Sequence, residues 1–336
     1  MKKLFSIRLV MVPALIAGGL VGCESTPRRP GVDLSGGTIA GPGEPGQAEV
    51  LRAESLQRRG DREAALAIFE RAIQRNPELT VAYLGAGDIY RELGDYSSAE
   101  QRYAKAAELE PRNFDAQYFH GLSLQLLDRF AEAVRAYLRA LSIRPGDFDA
   151  NLNLATAYLQ LGEPRQAQVY ALRAVRLNGQ SGAARANLGA VYAALDEHEA
   201  AVAEFQQAAE LMELNPQLLL NLADSLSRVG RHAESINTLD QVLRIEPSPE
   251  AYERLGAARF RMRAYEDAAA AFGQALDLDA NHYPAINGLA VCRLNDYLWS
   301  DRTDREAYDE AVELLRRSLR IRPNQPKIIE LLRRYG

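Results

Sequence analysis

The chain is poor in the side chains that most often build reaction centres. Its 336 residues include two cysteines, four histidines and one tryptophan. Cys23 and Cys292 are too few for a disulfide framework or a cysteine-rich metal site. His120, His198, His232 and His282 are scattered, and no two stand at metal-ligand spacing. Neither a glycine-rich phosphate loop nor a Gly-x-Ser-x-Gly elbow occurs. These absences leave no support for an enzyme, and no cofactor, metal or small-molecule substrate is expected. Basic runs are also lacking. With 40 lysines and arginines against 45 acidic residues the net charge is −5, which makes nucleic acid a poor partner.

A regular beat fills the rest of the chain. Pro77, Pro111 and Pro145 are spaced by 34 residues, and Pro247 returns in phase. Ala65, Ala99, Ala133, Ala167 and Ala201 keep the same spacing. A fixed period of this length is the signature of a solenoid of stacked units. Each period divides into two amphipathic helical stretches. Eight units start near residues 46, 80, 114, 148, 182, 216, 249 and 283. The second shows the pattern best, with Tyr83, Gly87, Tyr90, Leu93, Gly94, Tyr96, Ala99, Tyr103, Ala106 and Pro111. Gly87, Ala99 and Ala106 mark close helix contacts, Tyr90 and Tyr103 fill the space between helices, and Gly94 suits a turn needing positive φ. Pro111 ends the second helix, because it cannot continue the hydrogen-bond ladder.

This pattern closely resembles the tetratricopeptide repeat, a helix–turn–helix unit. The resemblance implies an all-α, right-handed solenoid of about eight units over residues 47–323, with a capping helix over 324–336. Three departures stand out. The first unit has Ala53 and Leu56 where glycine and tyrosine are usual. The sixth carries Ser235 and Val242 in place of alanine, and the fourth and seventh lack the closing proline. The eighth unit has an insertion near residues 296–305, containing Trp299. Thr303-Asp304-Arg305-Glu306 reads as a capping box with Thr303 as N-cap, so the insertion is expected to lengthen both helices. Trp299 is expected to close the core between them, a contact with a partner at the tip being the alternative.

In relatives the first helices line a concave groove that holds protein or peptide partners. Asn153, Asn187 and Asn221 fall there at 34-residue spacing and resemble an asparagine ladder, able to bond to a peptide main chain. Bonding to the next unit's backbone is the alternative. Carried over unit by unit, the other groove positions are Leu84, Asp88, Tyr118, Leu122, Leu152, Leu159, Leu220, Asp224 and Phe260. Several are apolar, which suits a binding strip. The basic pattern with which chaperone-binding relatives clamp a carboxylate is not repeated.

The N-terminus points to export. Lys2, Lys3 and Arg8 precede an apolar stretch over residues 9–20, too short to span a bilayer, so residues 1–22 read as a signal peptide. Leu20-Val21-Gly22-Cys23 resembles the lipobox of bacterial lipoproteins, which implies a lipid on Cys23 and anchorage in a membrane. Two or three acyl chains, at about 0.8 kcal/mol per buried methylene, hold stably where one does not. Residues 23–46, rich in proline and glycine, form a tether reaching roughly 25–30 Å as flexible coil. Cleavage leaves 37 basic and 45 acidic side chains, a net charge of −8. Glu24 is not the aspartate that resembles an inner-membrane retention signal, so the resemblance implies the outer membrane, facing the periplasm. The expected role is a membrane-anchored scaffold in pilus or secretion assembly. The alternatives are an exopolysaccharide-export scaffold and an adaptor recruiting a cell-wall enzyme.

Overall fold

The computed structural model describes residues 46–336. The signal, Cys23 and nearly all of the tether lie outside them. The described residues form seventeen α-helices and no strand. None of these helices is long and apolar enough to cross a membrane. Backbone contacts divide the described chain into two compact bodies, residues 46–195 and 196–336. The first body contains α1 (Gln47–Arg58), α2 (Arg62–Arg75), α3 (Thr80–Glu92), α4 (Tyr96–Leu109), α5 (Phe114–Leu126), α6 (Phe130–Ile143), α7 (Phe148–Gln160), α8 (Pro164–Leu177) and α9 (Gly182–Ala194). The second contains α10 (His198–Leu211), α11 (Pro216–Arg228), α12 (His232–Ile245), α13 (Pro249–Arg261), α14 (Tyr265–Leu278), α15 (Tyr283–Trp299), α16 (Arg305–Ile321) and α17 (Pro326–Tyr335).

Within each body the helices pack in sequence order, each on the next. The first helices of successive units also touch one another, α1 on α3, α5 on α7 and α7 on α9. In the second body α11 meets α13 and α13 meets α15. First helices therefore make the inner row of each body, and second helices stand outside it.

Local chemistry explains the boundaries. One left-handed residue turns the first helix into the second in each of the first seven units: Gly60, Gly94, Asp128, Gly162, Asp196, Gly230 and Arg263. At Gly94 φ is 79° and an added Cβ would meet nothing, so this glycine is needed for its backbone angle alone. Asp95, Asn113, Asp147, Ser181, Asn215 and Ser248 each cap the following helix by accepting a backbone N–H three residues on. Where the closing proline is missing, Asn178 and Asp279 accept the N–H groups of Gln180 and Asn281, turning the chain by other means.

The seams rest on size matching. An added Cβ at Gly87 would lie 2.7 Å from the Tyr103 ring, and one at Gly121 would lie 2.9 Å from Tyr137. Tyr103, Tyr137, Phe69, Phe205 and Phe272 are fully buried. Tyr103 and Tyr137 differ from the phenylalanines in needing a hydrogen-bond partner at the far end. Their hydroxyls donate to Asp88 Oδ1 at 2.7 Å and to Gln125 Oε1 at 3.0 Å. The sixth unit is as well packed as the others. Ser235 donates to the Ala223 carbonyl at 2.8 Å, and Val242 is fully buried.

The insertion does lengthen both helices, since α15 and α16 have 17 residues each. Two expectations fail there. The N-cap is Asp304, whose carboxylate accepts the Ala307 N–H at 2.9 Å, while Thr303 donates to the Ser300 carbonyl. An aspartate accepts this bond at least as well as threonine, so the cap moves one residue on. Trp299 is 68% exposed rather than in the core, with its ring centre 5.2 Å from that of Tyr265 in an edge-to-face arrangement. The extra length of α15 carries it past the end of the packed seam.

Candidate peptide groove

The inner row places the three asparagines in different settings. Asn153 on α7 donates to the Tyr118 hydroxyl on α5 at 3.1 Å. Asn187 on α9 is buried and donates to Thr156 Oγ1 on α7 at 2.8 Å, and Thr156 donates in turn to the Leu152 carbonyl. Asn187 Oδ1 is buried without a hydrogen-bond partner. Asn153 and Asn187 thus join each first helix to the one before it. Asn221 on α11 behaves otherwise. Its Oδ1 accepts from Gln217 Nε2 at 3.0 Å, inside its own helix, and the residue stays partly exposed.

The apolar positions also divide. Leu84, Tyr118 and Phe260 are buried, and Tyr118 stacks on Phe114 at 5.8 Å. These three serve the seams between helices and offer little surface to a partner. Leu122, Leu152, Leu159 and Leu220 are only half-buried and remain within reach of one.

Charged residues complete the surface. Asp88 is enclosed beside Tyr103 and Arg91, whose Nη2 donates to it at 3.4 Å. Burial pushes the Asp88 carboxyl above the usual range, and the Tyr103 and Arg91 hydrogen bonds pull it back. In the second body Arg254 on α13 lies 3.4 Å from Asp224 on α11. Arg261 donates to Ser227 Oγ at 2.9 Å. Glu253 is buried next to them, and burial pushes its carboxyl to about 7 despite the neighbouring Arg254. Burial likewise pushes the Cys292 thiol up to about 12, which leaves it unreactive. Among the described residues no three His, Cys, Asp or Glu side chains gather as a metal site would require.

Sequence reasoning passed over Phe119 and Arg254. Both stand in the asparagine column, one unit before Asn153 and one after Asn221. The column hides Arg254 because the sixth unit is one residue short. Phe119 is half-buried, 5.4 Å from the Tyr103 ring and beneath the Arg91 guanidinium. Unit starts at 216 and 249 were signal enough to place Arg254.

Profiles of the tetratricopeptide repeat match residues 56–122 and 124–190, with related profiles matching 183–211 and 220–283. The chain belongs to the tetratricopeptide repeat family. Its fold is similar to the Cut9–Hcn1 hetero-tetramer of the APC/C, with a TM-score of 0.57 and 20% identity over 85% of this chain and 55% of that one. A tetratricopeptide repeat protein from Parabacteroides merdae matches with a TM-score of 0.54 and 18% identity, over 74% of this chain and 99% of its own. The pilF protein of Pseudomonas aeruginosa matches with a TM-score of 0.53 and 21% identity, over 62% and 95%. A curated relative, small glutamine-rich tetratricopeptide repeat-containing protein 2 of Mycosarcoma maydis, is 30% identical over 95 residues. The match spans about a quarter of either protein, 28% of this chain and 27% of that relative. Proteins of this family are protein-interaction scaffolds.

Proposed function

We propose that this tetratricopeptide repeat protein is a lipoprotein of the bacterial envelope, held in the outer membrane by acylated Cys23 and binding polypeptide partners on its inner row. The observation that carries the binding half is half-buried Leu122, Leu152 and Leu159 beside polar Asn153 on the first helices of the first body, with half-buried Leu220 beside Asn221 on α11 of the second. Apolar side chains with regularly placed amides suit an extended peptide, whose main chain needs hydrogen bonds and whose side chains need pockets. The anchor rests on Leu20-Val21-Gly22-Cys23 directly after the apolar stretch. The pathway, pilus or secretion assembly, rests on the resemblance to lipid-anchored repeat arrays. The pilF protein shares the fold.

Labelling cells with a palmitate analogue tests the anchor. The full chain is expected to take the label and float with outer membranes, and Cys23→Ser is expected to lose both properties. An unlabelled, freely soluble wild-type protein contradicts the proposal.

Asn221→Ala tests the groove with least disturbance, because its amide holds no other unit. Stability should move by no more than about 0.5 kcal/mol. Affinity for a captured partner should fall, as read by calorimetry. Unchanged affinity removes Asn221 from the binding surface.

A further inference from the structure

The insertion builds a cleft that the repeat pattern does not supply. It has a volume of about 280 Å³ and is lined by Tyr297, Arg302, Arg305, Tyr308, Arg334, Tyr335 and Gly336, from the end of α15, the start of α16 and the end of α17. Arg305 lies 5.7 Å from the Tyr308 ring centre, Arg334 lies 5.5 Å from that of Tyr335, and Tyr297 and Tyr308 meet at 5.1 Å. Arg302 and Arg305 are exposed, and neither has an acidic partner among the described residues. Two unpaired guanidinium groups, those of Arg302 and Arg305, thus stand at the cleft in a chain whose net charge is −5. The backbone is unusual too. Asp301 and Arg302 are consecutive left-handed residues, with φ of 49° and 69°, where each earlier helix turn has a single one. Neither is glycine, and backbone strain of this kind collects at functional sites.

We infer that this cleft is a docking site for an acidic segment of a protein partner, with a carboxylate held by Arg302 and Arg305 among the tyrosine rings. The planar fork of arginine matches a carboxylate with two parallel hydrogen bonds. Tyrosine and arginine are the residues that dominate protein–protein contacts. The volume lies just below the range of pockets that enclose a whole small molecule, roughly 300–1,000 Å³, so it suits one or two side chains of a longer chain. The site uses none of the groove residues described above and does not rest on the lipid anchor.

The test measures binding of a fluorescent peptide of alternating glutamate and phenylalanine to the full chain, by anisotropy, with a glutamine–phenylalanine peptide as control. The acidic peptide should bind, weaken as salt is raised, and bind at least about tenfold more weakly to Arg305→Ala. Arg302→Gly is the sharper variant. Glycine fits the left-handed backbone, so the melting temperature should stay level or rise while the peptide affinity falls by a similar factor. Equal binding of the glutamine peptide, or unchanged affinity in both variants, overturns the proposal. So does displacement of the peptide by inorganic phosphate or dextran sulfate at lower concentration than by its own unlabelled form, which would assign the cleft to a different anion.

Discussion

Phe272→Ala is expected to cost about 3–5 kcal/mol, toward the top of the range for a buried aromatic ring. The ring is fully buried between two backbones. A Cβ added at Gly256 on α13 would lie 2.8 Å from it, and one at Gly288 on α15 would lie 2.4 Å away. Ala257, Ala268, Ala275 and Ala285 belong to the same cluster. The glycines and alanines closest to the ring have no side chain that can swing into the space, so much of the cavity stays open. Each unit of a repeat array touches only its neighbours, which concentrates the damage. Hydrogen exchange should quicken most in α13, α14 and α15, and chemical denaturation should report the lost stability. A loss below about 1 kcal/mol, or exchange quickened evenly throughout, contradicts this account of the seam.

Glu253→Gln is expected to stabilise the protein above neutral pH and to remove a pH dependence. Burial raises the folded-state pKa of Glu253 from 4.5 to about 7. Between those values the folded chain keeps a proton that the unfolded chain has released. Stability therefore falls as pH rises through this window, and the loss is complete above it. The shift corresponds to at most about 3 kcal/mol. Thermal melting at pH 5 and pH 8 should show wild type weakened at the higher pH and Glu253→Gln weakened less. The variant should also melt higher than wild type at pH 8. Superimposable pH profiles contradict the placement of this carboxyl.

The repeat was legible because it obeys local rules. Gly94 marks a turn, Pro111 marks a helix end, and the pairing of Gly87 with Tyr103 follows from size alone. Such features need only the chain's own sequence and the geometry of one helical pair. The partners of Asn153 and Asn187 were not legible, because they depend on how one first helix is rotated against the next. Tyr118 looked like groove surface, yet its ring is buried and its hydroxyl takes the Asn153 hydrogen bond. Trp299 was misplaced because the insertion breaks the period, and only the lengths of α15 and α16 decide which side of the seam it reaches. Glu253 carried no signal at all, since an acid on an amphipathic helix normally faces solvent.

The central claim, that the inner row grips polypeptides, is tested most directly by photocrosslinking in cells. A photoreactive residue at Leu152 or Leu220 stands on the inner row, whereas one at Arg135 or Gln274 stands exposed on α6 or α14. Capture of the same partner polypeptide from Leu152 or Leu220, with none from Arg135 or Gln274, is the predicted result. Capture confined to Arg135 and Gln274 would place binding on the second helices and contradict it.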